Sequence, residues 1–97
     1  MQYMGAVLIA KAKEVRSDGS IIEIVVWKLP DPLPASIHRF KYRLYYGVGG
    51  RSRVRYDNER GKGDHRHLGE HEEAYEFSTL ERLLADFERD VFEWSGS

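Results

Sequence analysis

Cysteine is missing altogether, which excludes disulfides, thiolate metal sites and a cysteine nucleophile, and fits a reducing compartment. Long apolar runs are missing too. The longest, Gly5 to Ala10 and Ile21 to Trp27, fall far short of the roughly 20 residues that cross a bilayer as a helix. No basic segment followed by an apolar stretch opens the chain, so no signal peptide is expected, and the expected location is cytoplasmic. Proline is scarce and confined to Pro30, Pro32 and Pro34, so proline itself breaks regular structure at one place. No repeat, low-complexity tract or cofactor motif is present, and no cofactor is expected.

What is there describes one domain over residues 1–97. A chain of 97 residues supports one modest core and not two. Its net charge of −1 conceals a polarised distribution. Residues 39–67 hold nine basic and three acidic side chains, a net of +6, and residues 68–97 hold two basic and nine acidic, a net of −7. The basic block suits a polyanion, or equally the acidic block of the same chain.

Tyr3 to Val15 reads as a strand, with a helix as competitor because of its alanines. Ser17-Asp18-Gly19-Ser20 is a turn. Ile22, Ile24 and Val26 alternate with Ile21, Glu23, Val25 and Trp27 in the clearest strand of the chain. After a proline-broken crossover from Leu29 to His38, Phe40, Tyr42, Leu44, Tyr46 and Val48 face inward on the next strand. Gly49-Gly50 turns the chain, and Val54 and Tyr56 return inward. Period-two geometry then gathers Lys41, Arg43 and Tyr45 with Arg51, Arg53, Arg55 and Asp57 on the outward face. Like charges placed so closely across a sheet repel.

Ala74 to Phe77 reads as a brief strand. Ser78-Thr79-Leu80-Glu81 has the form of a capping box, and Leu80, Leu83, Leu84, Phe87, Val91 and Trp94 make one apolar helical stripe. The expected fold is α+β, an antiparallel sheet of four to five strands with one C-terminal helix packed on a face.

Tyr56-Asp57-Asn58-Glu59-Arg60-Gly61-Lys62-Gly63-Asp64-His65-Arg66-His67, read as a polar loop, concentrates chemistry. His65 and His67, two apart on extended chain, project to one side, and imidazoles suit acid-base work near neutral pH. Lys62, Arg55 and Arg66 can hold a phosphate, Asp57 or Asp64 can orient an imidazole, and Gly61 and Gly63 permit close backbone approach. Three readings follow from these residues. One is acid-base cleavage of RNA. Another is a divalent metal held by the two histidines with Asp64, His71 or Asp57. The last is a polar surface with turn formers.

Asp18-Gly19-Ser20-Ile21-Ile22-Glu23-Ile24-Val25-Val26-Trp27, then Lys41-Tyr42-Arg43-Leu44, the run Tyr56 to His67 with its Gly-Lys-Gly-Asp-His-Arg-His string, and the ending Tyr75-Glu76-Phe77 through Leu84-Ala85-Asp86-Phe87 together resemble the TumE family of toxins. The likeness is in order from about residue 6 to 92. It implies the toxin half of a type II toxin–antitoxin pair and a cognate helix-turn-helix antitoxin that blocks the active surface. RNA is the substrate expected from that class together with the polar run, and the chemistry expected is metal-independent endoribonuclease action. His65 and His67 are the expected acid and base, Lys62 and Arg55 stabilise phosphate, and Asp57 and Asp64 orient. Lys41, Arg43, Arg53 and Arg66 add affinity for the RNA backbone. The competing accounts are a non-catalytic binding module for nucleic acid or protein, and a metal-dependent nuclease. Exposed sheet edges leave a homodimer open.

Overall fold

A computed structural model describes residues 5–59 and 61–96. Tyr3 and Arg60, expected in the first strand and the polar run, lie outside the described residues.

Six strands follow one another as an antiparallel meander: β1 (Val7–Val15), β2 (Ile21–Lys28), β3 (Phe40–Val48), β4 (Arg51–Glu59), β5 (Gly63–Leu68) and β6 (His71–Ala74), in the spatial order β1-β2-β3-β4-β5-β6. One helix, α1 (Leu80–Ser95), packs on one face. The expected fold class therefore holds, with six strands instead of four to five. The surplus comes from the polar run, which is not a loop. Tyr56 pairs with Arg66, Asp57 with His65 and Asn58 with Asp64, so the run is strand, turn, strand. It carries polar side chains on both faces, and no apolar alternation marked it as a ladder.

The core forms between α1 and the face carrying Val26, Tyr42, Leu44, Tyr46, Val54 and Tyr56, all buried with Leu83, Phe87 and Val91 of the helix. For β3 and β4 that set falls among the residues expected to face inward, and on β2 the face of Ile22, Ile24 and Val26 is the one toward the helix. The helix begins one residue later than the capping box suggested. Thr79, with extended backbone, is the N-cap, and its hydroxyl accepts from the Arg82 amide at 3.1 Å. Gly96, in the left-handed conformation at φ 75°, closes the other end by donating its N–H to the Phe92 carbonyl. The expected brief strand at Ala74–Phe77 is instead the end of β6 followed by an irregular connection.

Two departures reshape the sheet around the basic hairpin. The register of β3 and β4 shifts between Tyr46 and Gly47, leaving Val54 opposite Tyr46 and Arg51 opposite Val48. Cross-strand partners share a face, so Arg51 lies on the face of Val48, which packs against the core. Arg53 is the extra residue, and its guanidinium sits 5.2 Å from the Trp94 ring centroid of α1. A bulge thus removes Arg51 and Arg53 from the outward row. The second departure is at the other end of the same pair. There the buried Asn58 amide takes over from the ladder, accepting from the Tyr42 N–H at 3.0 Å and donating to the Phe40 carbonyl at 2.6 Å.

The proline-containing connection docks against the tip of the β4–β5 hairpin. Leu29 and Leu33 are buried, and the Gly61 N–H donates to the Pro34 carbonyl at 2.9 Å. Gly63, at φ 77°, is buried so closely that a Cβ would stand 3.2 Å from the Ala35 carbonyl oxygen. The close approach expected of this glycine is made to its own chain.

Candidate functional site on the open sheet face

Alternation along β4 and β5 divides the polar run between the two faces of the sheet. Direct pairing places Lys13, Glu23, Tyr45, Arg55, His67 and Glu72 in one cross-strand row, and Lys11, Val25, Arg43, Asp57, His65 and Ala74 in the next. Both rows lie on the face opposite α1. Tyr56, Asn58, Asp64 and Arg66 lie on the helix side.

On the open face Arg55, Asp57, His65 and His67 converge. The Arg55 Nε lies 3.2 Å from an Asp57 carboxylate oxygen, near enough for ion pairing but out of line for a hydrogen bond. An Arg55 terminal nitrogen lies 3.1 Å from His67 Nε2 and 3.4 Å from Nδ1. Near-equal distances to both ring nitrogens mean that the guanidinium rests against the imidazole. His65 Nε2 is 2.8 Å from the Lys62 carbonyl. A carbonyl only accepts, so Nε2 carries the proton and Nδ1 of neutral His65 bears the lone pair. That Nδ1 is buried without a hydrogen-bond partner, although Glu72 stands 3.3 Å away. Glu72, which sequence reasoning did not single out, also lies 3.6 Å from His67 Nε2. Its only signal was alternation on a strand too short and polar to recognise.

The remaining expected residues divide. Lys41 and Arg43 are on the open face, where the Lys41 amine donates to the Asn58 carbonyl at 2.6 Å and Arg43 lies 3.5 Å from Glu23. Lys62 reaches into solvent from the turn, 3.8 Å from Glu59. Its carbonyl, and not its amine, touches a histidine. Asp64 and Arg66 are not with His65 and His67. Asp64 accepts from the Tyr42 hydroxyl at 2.5 Å and lies 2.8 Å from His38 Nε2. The Phe40 N–H donates to His38 Nδ1, which leaves the ring proton on Nε2, aimed at Asp64. His38 also stacks on Phe77, with centroids 3.9 Å apart. Nothing in the connection around His38 announced this.

Arg66 forms ion pairs with Glu73 and with Asp90 of α1. Asp90 also accepts from the Tyr56 hydroxyl, and Asp86 accepts from Tyr75 at 2.7 Å. Burial, reinforced by these carboxylates, pushes the Tyr56 and Tyr75 hydroxyls above the usual phenol range. Tyr42 is pushed up likewise by burial and by Asp64. The acidic block therefore does meet the basic one, but chiefly through Arg66. Among the described residues no three histidine, aspartate or glutamate side chains are arranged to hold a metal ion. His71, weighed as a ligand, pairs with Glu73 at 3.0 Å, and its partner Leu68 puts it on the helix side.

Fold and site define a small α+β protein with one sheet face covered by a helix and the other left open, bearing paired imidazoles among arginines. A family model described as Toxin TumE matches residues 5–95, and the chain belongs to that toxin family. Comparison with curated proteins and with solved structures gives no match. No helix among the described residues is long and apolar enough to cross a membrane.

Proposed function

We propose that this toxin is a metal-independent endoribonuclease working on its open sheet face. The observation that carries the reading is the convergence of His65, His67, Arg55 and Asp57 on that face, with Glu72 beside both imidazoles. Residues two apart on a strand stand about 7 Å apart, a span that suits the two sides of one phosphodiester. His65, whose Nε2–H is engaged by the Lys62 carbonyl, takes the proton of the ribose 2′-hydroxyl at Nδ1. The freed oxygen attacks phosphorus, and His67 in its imidazolium form gives a proton to the departing 5′-oxygen. A 2′,3′-cyclic phosphate and a 5′-hydroxyl result. Arg55 stabilises the charge that develops on the phosphoryl oxygens. Asp57 orients Arg55 and His67, and Lys41, Arg43 and the exposed Lys62 hold flanking phosphates. On this geometry Asp64, Arg66 and Arg53 act through the scaffold and not at the phosphate.

The type II antitoxin expected of such a toxin, a helix-turn-helix protein, would silence it by covering this face. β1, an edge strand bonded on one side only, is where two copies of the chain would pair. The test is purified protein with total RNA in chelator, wild type against the His65→Ala, His67→Ala double variant, alongside induced expression in growing cells. Cleavage to cyclic-phosphate ends by wild type alone, with arrest of growth, is the expected result. Intact RNA, or cleavage that chelator abolishes, overturns it. Equal arrest by both proteins moves the function to a non-catalytic binding surface.

A further inference from the structure

Gly47 occupies a strand interior, a position where glycine usually weakens a sheet and often marks a close approach. Here the approach is made by Tyr45, two residues earlier and on the same open face. A Cβ on Gly47 would stand 2.1 Å from the Tyr45 hydroxyl oxygen, so the ring lies flat along the strand over bare backbone. A tyrosine at that position on any other neighbour would have to stand away from the sheet. A hollow lined by Lys11, Ala12, Lys13, Glu23, Val25 and Arg43 includes both Glu23, the cross-strand partner of Tyr45, and the Arg43 that covers its ring. Across the strands from Tyr45 sits Arg55, the arginine of the candidate site. The Arg43 guanidinium covers the ring at 4.9 Å from its centroid and is half exposed. Among the described residues that contact and a 3.5 Å ion pair to Glu23 hold it there, and both are weak at a solvated surface.

We propose that Tyr45 is the stacking platform for one base of single-stranded RNA, uncovered when Arg43 swings from the ring to the strand's phosphate. Flat aromatics beside basic groups on an open sheet are how such faces hold unpaired bases. A duplex, whose bases are already stacked on one another, has none to offer. The inference rests on the nuclease reading for the identity of the ligand and adds its strandedness and the residue that senses it.

The test uses the His65→Ala, His67→Ala protein, so that binding is measured without cleavage. The probes are a fluorescein-labelled single-stranded RNA of mixed sequence and an RNA duplex of equal length. Tyr45→Leu should weaken single-strand binding roughly 10-fold and duplex binding by less than about twofold, and Tyr45→Phe should keep both within about twofold. Equal losses on the two probes, or no loss on either, overturn the proposal. Tyr45→Leu uncovers Gly47 and puts folding at risk, so a second measurement leaves Tyr45 in place: single-stranded RNA carrying 4-thiouridine is photo-crosslinked and the adducts mapped. An adduct at Tyr45 is expected, and adducts confined to other strands overturn the proposal. If wild type never cleaves RNA while Tyr45→Leu still loses the single strand, the platform stands and the nuclease falls. If wild type cleaves through its histidines while Tyr45→Leu binds normally, the platform alone falls.

Discussion

The β4–β5 hairpin carries similar residue types on its two faces and uses them differently. Toward the helix lie Tyr56, Asn58, Asp64 and Arg66; toward solvent lie Arg55, Asp57, His65 and His67. The inner set is tied to distant parts of the chain. Asn58 replaces ladder bonds of β3, Asp64 takes His38 and Tyr42, and Arg66 with Tyr56 takes Asp90 of α1. The outer set is tied mostly to itself and to Glu72, while buried nitrogens without a hydrogen-bond partner occur on both faces, His65 Nδ1 and Arg55 Nε outside and Arg66 Nε inside. Polarity alone does not separate scaffold from site here; the destination of each bond does.

The largest expected effect sharpens that contrast. The His65→Ala, His67→Ala variant should lose about 10²- to 10⁴-fold in RNA cleavage, the usual contribution of general acid-base catalysis, while its urea midpoint stays close to wild type. Asp90→Ala should do the reverse. It leaves the Tyr56 hydroxyl without its acceptor in the core and Arg66 with Glu73 alone, at a cost of about 3 kcal/mol in urea unfolding, a sizeable share of the roughly 5–15 kcal/mol a domain has. A variant that lost activity but kept its stability would put Asp90 in the chemistry and break the comparison.

Smaller effects test the inner network alone. Tyr42 and Tyr56 are buried, and both hydroxyls are held above the phenol range. The folded state therefore keeps protons that the unfolded chain releases near pH 10. Stability from these groups is complete below about pH 10 and falls above it, by about 1.4 kcal/mol per pH unit for each tyrosine. Urea unfolding measured from pH 8 to 11 should show that fall, with a shallower slope in Tyr56→Phe. At neutral pH the same Tyr56→Phe change should cost about 1–3 kcal/mol, because Asp90 loses a donor in the interior. Smallest of all, Lys62→Ala should change stability by less than about 0.5 kcal/mol, since its ion pair with Glu59 is solvated. A larger loss would mean that the turn, and not only its Lys62 carbonyl, holds the hairpin.

Much of the frame was legible in the residues. Ile22, Ile24 and Val26 alternate cleanly, Asp18-Gly19 and Gly49-Gly50 mark turns, and Leu83, Phe87 and Val91 recur at helical spacing. β5 and β6 were hidden because Asp64 and Arg66 face a core that is polar at that point, so the apolar half of the alternation is missing. Asp86 and Asp90 did leave a signal. They sit three residues after Leu83 and Phe87, on the stripe itself, where a carboxylate requires buried donors such as Tyr75 and Tyr56. The bulge at Arg53 left none, because a register shift depends on the partner strand and not on local composition. Of the candidate residues, the projection of His65 and His67 to one side followed from period two alone, whereas the position of Asp57 beside them comes from the β4–β5 pairing. Grouping Asp64 with them was an error of the same rule, since one residue along a strand is the opposite face.

The bond between Tyr56 and Asp90 also sets an order in time. Each hairpin of the meander joins neighbours in sequence, so the sheet can assemble strand by strand as the polypeptide leaves the ribosome. The helix is synthesised after every strand it packs on. Until its second half has emerged, Leu44, Val54 and Tyr56 face water and Arg66 has no carboxylate from above. A released chain cut short within α1 thus keeps all six strands but leaves the sheet bare-backed, the sort of intermediate that chaperones hold and proteases cut.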